Sequence, residues 1–220
     1  MGSGLDSKHE RGRVGLSGIA SRYQRNHRLV RPVRRVQTLQ GPGLTLLPSE
    51  LPPELVPLSW LIGVWEGTGK FQPLDQEPQD IVQQAVFSFD GRDVLTYSSR
   101  VLLVVAPDED PVVLAAESGF WRPRPNSSVE AVIADDRGVA ALWLGIVEVL
   151  GIDQATITGA RARLAADQLV RGPSAPDVQG GHRLYGLVEG KLMWVLEQAH
   201  GDGEFTPVLS AELVRVDGGS

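Results

Sequence analysis

Residues 63–69 read GVWEGTG, which is the most specific local pattern in the chain. Side chains alternate between the two faces of a β-strand, so the tryptophan and three glycines of this stretch share one face. These residues are Gly63, Trp65, Gly67 and Gly69. A glycine inside a strand indicates a sharp bend or the close approach of another group. Two compatible interpretations follow: a coiled barrel strand whose tryptophan fills a closed end, or a face on which a flat ligand packs beside Trp65.

From residue 61 onward, short runs rich in Val, Leu, Ile, Thr and aromatic residues alternate with turn signals such as Asp90-Gly91 and Glu189-Gly190. This pattern predicts an all-β domain of about ten antiparallel strands in up-and-down order. The runs lie near 61–71, 81–90, 93–105, 111–122, 128–134, 138–149, 153–160, 162–170, 180–189, 191–199 and 206–216. Sparse long crossovers favour a closed barrel over a sandwich, and a barrel of eight or more strands can hold a small ligand.

Two different segments precede the strands. Residues 1–44 have no period of 2 or 3.6 and carry nine Lys/Arg against two acidic residues, a net charge of +7. The whole chain has a net charge of −6, so residues 45–220 carry a net charge of −13. We expect residues 1–44 to be a basic, disordered tail and residues 45–220 to be the barrel domain. Pro53 is well placed to open a short capping helix at about 53–60, with Leu55, Leu58 and Trp60 on its buried face.

Composition narrows the classes of function. The chain has no cysteine, which excludes disulfides, thiolate nucleophiles and cysteine metal sites. No apolar run approaches the length of a membrane helix, and the N-terminus has no apolar signal region, so we expect a cytoplasmic protein without a membrane partner. An acidic body is poorly suited to phosphate backbones, which disfavours nucleic acid as a partner except through the basic tail.

With PLSWL at 57–61 ahead of it, the 63–69 pattern resembles the signature of the nitrobindin family. Similar segments follow in the family's order: FSFDGRDVLTYSSR at 87–100, ESGFWR at 117–122, VEAVIADDRGVAALWLG at 129–145 and LYGLVEGKLMWVLEQA at 184–199. The resemblance covers residues 50–216 and implies a ten-stranded barrel related in shape to fatty-acid-binding proteins. Family members with a full pocket bind ferric haem b through one axial histidine and are described as converting peroxynitrite to nitrate.

The last predicted strand departs from the family pattern. It reads FTPVLSAELVR at 205–215, whereas the resemblance implies a pattern like L-Q-x-H-L-x-A-x-L-x-R. Leu209, Ala211, Leu213 and Arg215 keep the register, and Val208 stands where the histidine is expected. Valine has no lone pair for iron. The chain therefore resembles the ferric nitrobindin-like subgroup, and we expect no cofactor, with haem b bound weakly or not at all, no metal and no catalytic residue.

Other candidate site residues carry a weaker signal. His182 and His200 lie at hairpin ends, where an exposed surface histidine is the favoured interpretation, and His200 is the better substitute for the missing iron ligand. Glu117, Arg122 and Glu197 are candidates for a polar group near a barrel mouth.

Three hypotheses follow, in order of preference. The first is a protein that binds a small hydrophobic molecule and lacks the axial residue for haem iron. This hypothesis includes a homodimer as one oligomeric state. The second is a haem peroxynitrite isomerase with a different axial group. The third is a structural barrel whose basic tail binds nucleic acid.

Overall fold

The computed structural model describes residues 51–105, 111–201 and 203–216, which form a closed barrel of ten antiparallel strands. A short helix, Pro53–Leu61, precedes them. The strands are β1 (Gly63–Phe71), β2 (Gln79–Phe89), β3 (Leu95–Leu103), β4 (Val112–Arg124), β5 (Ser128–Asp135), β6 (Val139–Asp153), β7 (Thr156–Arg171), β8 (Gly180–Val188), β9 (Lys191–His200) and β10 (Glu204–Val216). Consecutive strands pair, and β1 pairs with β10. The predicted fold class is confirmed; the predicted tail, residues 1–44, lies outside the described residues.

The capping helix is a 3₁₀ helix, and its sequence explains why. Pro57 lies inside it and has no N–H to donate to a longer α-helical ladder. Leu55, Leu58 and Leu61 recur at the three-residue period of a 3₁₀ helix and are all buried. Burial of leucine side chains stabilises the fold by about 1.5–3 kcal/mol each, so these residues fasten the helix over one end of the barrel. Among the described residues, we find no helical segment with the length and hydropathy of a membrane span.

The strands place their larger side chains inside by simple alternation. In β3, for example, Leu95, Tyr97, Ser99 and Val101 are buried and the residues between them face outward or are half-buried. A one-residue slip would expose this whole set, which fixes the register.

One predicted boundary was wrong. The runs at 153–160 and 162–170 form the single strand β7, which pairs with β6 almost along its whole length. The turn comes earlier, at Gln154 and Ala155, which adopt positive φ values of 45° and 63°. Neither residue is a usual left-handed turn former, so the sequence carried no signal for this turn.

The glycines of β1 allow the backbone of β10 to approach closely. A Cβ atom added to Gly67 would overlap the carbonyl oxygen of Glu212 and lie 2.9 Å from Leu213 Cα. At Gly69, an added Cβ would lie 2.8 Å from Ala211 Cα. The glycines therefore permit the tight β1–β10 contact that closes the barrel.

The two ends of the barrel are covered differently. At the helix end, which we define by the capping helix, Trp65, Phe87 and Trp121 fill the interior and are at most 1% exposed. At the opposite end, the connection 172–179 between β7 and β8 covers the opening, and its Val178 is buried. We call this opposite end the loop end.

Candidate ligand-binding site

A partly open cavity of about 40 Å³ lies inside the barrel at the loop end. This loop-end cavity has an apolar wall and a small set of charged and polar groups. Its lining consists of Val101, Ala115, Glu117, Ile133, Asp135, Arg137, Val139, Ala141, Trp143, Leu169, Val178, Gly180, Arg183, Trp194, Leu196, Gln198 and Leu209. Apolar walls with a few converging polar groups are typical of small-molecule sites.

A buried ion pair forms the charged centre of the site. Arg183 of β8 donates from Nη1 to Glu117 Oε1 at 2.9 Å and from Nη2 to Oε2 at 2.6 Å. The side chains of Arg183 and Glu117 are only 5% and 14% exposed. Tyr97 Oη donates to Glu117 Oε1 at 2.5 Å, and Arg183 Nη1 donates to Tyr185 Oη at 3.1 Å. Both oxygens of the carboxylate are thus satisfied, as a buried charge requires.

The electrostatics keep this pair charged. Burial is the largest influence on Glu117 and raises its pKa, but the attraction of Arg183 and the hydrogen bonds from Arg183 and Tyr97 outweigh burial, so the pKa lies below its usual value. Burial likewise lowers the pKa of Arg183, yet the Coulombic attraction of Glu117 leaves that pKa well above its usual value. Burial and the neighbouring Glu117 carboxylate raise the pKa of Tyr97 well above 10.0, so its hydroxyl stays a donor.

Two tryptophans hold the guanidinium in place. The Cζ atom of Arg183 lies 4.6 Å from the ring centroid of Trp143 and 5.9 Å from that of Trp194, within the range of cation–π attraction. Trp194 Nε1 donates to Gln83 Oε1 at 2.8 Å, and Gln83 Nε2 donates to Ser99 Oγ at 2.8 Å. The polar layer therefore spans the barrel from β2 and β3 to β8 and β9.

The predicted glycine–tryptophan motif lies on β1, away from the loop-end cavity. Trp65 is buried at the helix end, where its Nε1 donates to the carbonyl oxygen of Leu61 at 2.7 Å and Arg215 Cζ lies 4.6 Å from its ring centroid. Gly63, with a φ of 140°, begins the strand beside Arg215. Neither these residues nor Gly67 and Gly69 line the cavity. Their contact with a ligand stays a prediction.

Position 208 lies at the loop end. Val208 is the extra residue of a bulge in β10 between Pro207 and Leu209, and it is half-buried against the core. Its carbonyl oxygen accepts from Gln72 N at 2.8 Å. Leu209, the next residue, lines the cavity. Val208 is thus close to the cavity, while its assignment to the axial position stays a prediction.

Both candidate histidines lie at this same end. The side chain of His182 is 46% exposed and stacks on Phe205 with ring centroids 4.1 Å apart, so its interpretation as a surface histidine agrees with its position. His200 Nδ1 lies 2.8 Å from the carbonyl oxygen of Asp177, within the connection that covers the cavity. Neither lines the cavity.

The structure separates the three residues proposed as a polar group. Glu117 faces the interior, Arg122 is exposed on the outside of β4, and Glu197 lies 3.5 Å from His182 on the outside of β9. The partner of Glu117 is instead Arg183, which the sequence reasoning missed. A signal existed: Arg183 shares the inward parity of Tyr185 and Leu187 within a predicted strand, so an arginine was predictable on the inner face.

The ten-stranded closure and the interior cavity define a closed antiparallel barrel of the kind that can hold a small molecule. Comparison with known proteins identifies the group within this class. Residues 54–215 match the family model described as "THAP4-like, heme-binding beta-barrel domain". The chain belongs to this haem-binding β-barrel family, the nitrobindin family.

Individual relatives agree with this assignment. A ferric nitrobindin-like protein of Streptomyces griseus subsp. griseus is 38% identical over 77% of this chain and 85% of its own length. A peroxynitrite isomerase of Leifsonia xyli subsp. xyli is 37% identical over 78% of this chain and 98% of its own length. The crystal structure of Rv2717c from M. tuberculosis superposes with a TM-score of 0.67 at 26% identity, covering 76% of this chain and 99% of that one.

The expectation that no cofactor binds was wrong at the level of the family. It rested on one position of the last strand, whereas the family model that spans the whole barrel is described as heme-binding. Haem is therefore the cofactor to which the comparison points.

The loop-end cavity does not fit haem in the closed form of the barrel. Pockets for drug-sized ligands occupy roughly 300–1,000 Å³, whereas this cavity is about 40 Å³. Its described lining offers iron no imidazole or thioether ligand. Val178 and the connection 172–179 would have to move before this cavity could admit haem.

Proposed function

We propose that this chain is a binding protein that takes a compact, largely apolar small molecule into the loop end of its barrel. The observation that carries the proposal is the interior cavity that the Arg183–Glu117 pair and Val178 line together. Leu196, Leu209 and Ile133 supply apolar contact, and the charged pair forms a fixed polar floor. The family's haem-binding description supports a ligand at the interior of the barrel.

The ligand would reach the cavity through the connection 172–179. Val178 is the buried part of this connection, while the neighbouring Asp177 is exposed and pairs with Arg171 and Gln179. Backbone hydrogen bonds from Gly172 N to Gly138 O at 2.9 Å and from Gln179 N to Ala199 O at 2.8 Å fasten the two ends of the cover. Between them, the cover depends on the Val178 side chain and on surface ion pairs, which contribute little to stability. A ligand larger than about 40 Å³ would displace Val178 first.

Titration with an apolar fluorescent probe and with hemin tests the proposal directly. We expect both to bind with one site per barrel, and we expect Val178→Trp to weaken both by filling the cavity. Val170→Trp, a change at an exposed position of β7, is the matched control. Binding that is unaffected by Val178→Trp would place the ligand elsewhere and contradict the proposal.

At position 208 we propose an apolar contact with the ligand in place of an iron bond. Substitution by histidine should then add a ligand for iron and raise hemin affinity by roughly tenfold or more, about 1.4 kcal/mol. The Soret band and the rate of hemin loss measure this gain. Val214→His, an exposed position on the same strand, should change neither. No gain with Val208→His would show that the register assigned to the last strand is wrong.

A second candidate function is a haem-dependent peroxynitrite isomerase with His200 as the iron ligand. The specific observation in its favour is that His200 lies at the loop end, in hydrogen-bond contact with the connection over the cavity. Relatives named peroxynitrite isomerase support the activity as a hypothesis. A sharp Soret band that His200→Ala abolishes, and His182→Ala preserves, would identify His200 as the iron ligand. Peroxynitrite decay that the hemin-loaded wild type accelerates, and the His200→Ala variant does not, would establish the activity.

A homodimer and a cytoplasmic location stay predictions. An open groove of about 600 Å³ runs across the outside of β8 and β9, where Leu184, Val188 and Met193 are exposed, beneath Leu150 of the β6–β7 hairpin. Exposed apolar surface of this kind favours a protein partner. Light scattering of the wild type and of Leu150→Glu would test for a dimer.

A further inference from the structure

A continuous row of oxidisable rings runs through the barrel interior from the loop-end cavity. Trp194 lines the cavity, and its ring stacks on Tyr185 with centroids 5.5 Å apart and an interplanar angle of 10°. Tyr185 lies 5.2 Å from Trp121, and Trp121 lies 6.3 Å from Tyr97, again between ring centroids. We call Trp194, Tyr185, Trp121 and Tyr97 the aromatic row. All four residues are at most 5% exposed, so the row is shielded from solvent.

Tyr97 ends this row on a proton acceptor. Its Oη donates to Glu117 Oε1 at 2.5 Å, and Arg183 holds the same carboxylate through bonds of 2.9 and 2.6 Å. A tyrosine loses an electron most easily when its hydroxyl proton leaves in the same step, because the oxidised phenol is a strong acid. A carboxylate that already accepts the hydroxyl hydrogen bond can take this proton inside the barrel, without solvent.

From this arrangement we infer that Tyr97 is a redox-active tyrosine, which supplies one electron through the aromatic row to a small radical oxidant at the loop end. The electron leaves Tyr97 and reduces the radical to its anion, while the hydroxyl proton moves to Glu117 Oε1. The products are a neutral tyrosyl radical, a protonated carboxyl group and the reduced oxidant, so atoms and charge balance. The inference does not depend on the proposed function, because electrons cross gaps of a few ångströms and the oxidant need not occupy the cavity.

The charges around the row favour Tyr97 as the residue that stays oxidised. The Arg183 Cζ atom lies 4.6 Å from the Trp143 ring centroid and 5.9 Å from that of Trp194. A tryptophan that loses an electron becomes a cation, and the neighbouring guanidinium opposes that positive charge. Tyr97 instead contacts the Glu117 carboxylate. The unpaired electron is therefore expected on Tyr97 and not on the tryptophans at the cavity.

Tyr185 provides a matched comparison within the row. It is 2% exposed, against 3% for Tyr97, but its Oη accepts a hydrogen bond from Arg183 Nη1 at 3.1 Å. A guanidinium is only a donor, so it cannot take the phenol proton, and its charge opposes oxidation of the ring. Tyr185 therefore serves as a bridge between Trp194 and Trp121, whereas Tyr97 keeps the radical.

The composition of the chain supports aromatic rings as the source of electrons. Sulfur side chains are common targets of oxidation, but the chain has no cysteine and only two methionines. Met193, the methionine among the described residues, is 40% exposed on the outside of β9. An electron that leaves the barrel interior therefore comes from a tryptophan or a tyrosine.

Pulse radiolysis with the azide radical, a small one-electron oxidant, tests the inference on the full chain. Tyr23→Phe is introduced first, so that Tyr97 and Tyr185 are the two remaining tyrosines. We expect the absorption of tryptophan radicals to decay while that of a tyrosyl radical grows. Tyr97→Phe should abolish this conversion, and Tyr185→Phe should preserve it. A tyrosyl radical that survives Tyr97→Phe, or no conversion before that change, would overturn the inference.

A double variant tests Glu117 as the proton acceptor. Glu117→Gln combined with Arg183→Gln removes both charges, so that neither partner is left as an unpaired buried ion. The new amide oxygen can still accept the Tyr97 hydrogen bond but does not take up its proton. We expect the tryptophan radicals to persist in this variant once near-UV circular dichroism shows a folded core. Conversion at the wild-type rate would overturn the role of Glu117.

The route through the row has its own test. Trp194→Phe keeps a ring against Tyr185 but removes the oxidisable indole, so we expect the fast phase of tyrosyl formation to be lost. Trp60→Phe is the matched control, because Trp60 is equally buried, at 3% exposure, but lies in the capping helix outside the row. It should retain the fast phase. If Trp194→Phe and Trp60→Phe give the same kinetics, the route from the loop end through Trp194 is wrong.

Discussion

The helix end and the loop end of the barrel are built from the same strands but in opposite ways. At the helix end, aromatic rings pack edge to face, with the Phe87 and Trp121 centroids 5.6 Å apart, and the capping helix seals the interior. At the loop end, a charged pair and a cavity stand beneath one buried valine. This difference indicates that closure of the barrel and the proposed binding of a small molecule depend on separate residues. Each property can therefore be altered without the other.

The largest expected effect comes from breaking the buried pair. Glu117→Ala leaves the buried Arg183 without a carboxylate partner, and arginine cannot shed its proton, so we expect a loss of about 3–5 kcal/mol of unfolding free energy. Urea denaturation measures it. Glu130→Ala breaks the exposed pair with Arg124 and should cost at most about 1 kcal/mol. Similar losses for both variants would contradict a dominant role for the buried pair.

Substitutions of two leucines on β10 compare how much each end of the barrel contributes to stability. Leu213 lies at the packed helix end with 0% exposure, and Leu209 borders the loop-end cavity with 7% exposure. We expect Leu213→Ala to cost about 3–5 kcal/mol of stability and Leu209→Ala to cost about 2–3, because contacts are already fewer beside existing space. Thermal denaturation of both variants gives the order. A larger loss at Leu209 would show that the loop end, too, contributes fully to the core.

Substitution of a β1 glycine tests how much the close β1–β10 contact contributes to stability. A methyl group at Gly67 would collide with the β10 backbone, so Gly67→Ala should cost about 1–3 kcal/mol of stability. Gly186→Ala is the control, because an added Cβ there meets its nearest atom at 3.8 Å, and the change should stay below about 1 kcal/mol. Hemin and probe affinity should be unchanged in both if binding belongs to the loop end alone.

The smallest effect concerns acid stability. The pKa of Glu117 is lowered in the folded chain, so its contribution is complete above the usual glutamate value of 4.5 and is lost as the pH falls through the folded pKa. One proton limits the slope to about 1.4 kcal/mol per pH unit. Glu117→Gln should flatten this part of the stability profile below pH 4.5. An identical profile in wild type and variant would assign acid unfolding to other carboxylates.

Much of the fold was predictable because strand alternation and turn chemistry act locally. The turn at Glu189-Gly190 has the positive φ values, 51° and 77°, that its residues predict. The helix at 53–61 was predictable from Pro53 and its buried leucines. The turn at Gln154 and Ala155 was not, because its positive φ values are imposed by pairing of the long β6–β7 hairpin rather than by the residues themselves.

The candidate site was less accessible from the sequence. Glu117 and Arg183 are 66 residues apart, on β4 and β8, and only closure of the barrel brings them together. Close packing against β10 accounts for two glycines of the glycine–tryptophan motif, Gly67 and Gly69, and contact of the motif with a ligand stays a prediction. The family resemblance was confirmed. The expected absence of a cofactor was wrong because it relied on Val208 alone, whereas the heme-binding family model matches the whole barrel.

The pairing of β1 with β10, from Val64 opposite Val216 to Phe71 opposite Leu209, also constrains how the chain can fold. During synthesis, one edge of β1 stays unpaired until β10 has been made. Pairing between strands so far apart in the sequence is slow. Loss of the final strand would leave two open edges on a nascent sheet, a natural template for aggregation. Circular permutation across the neighbouring β1 and β10 ends would turn that late contact into an early, local hairpin.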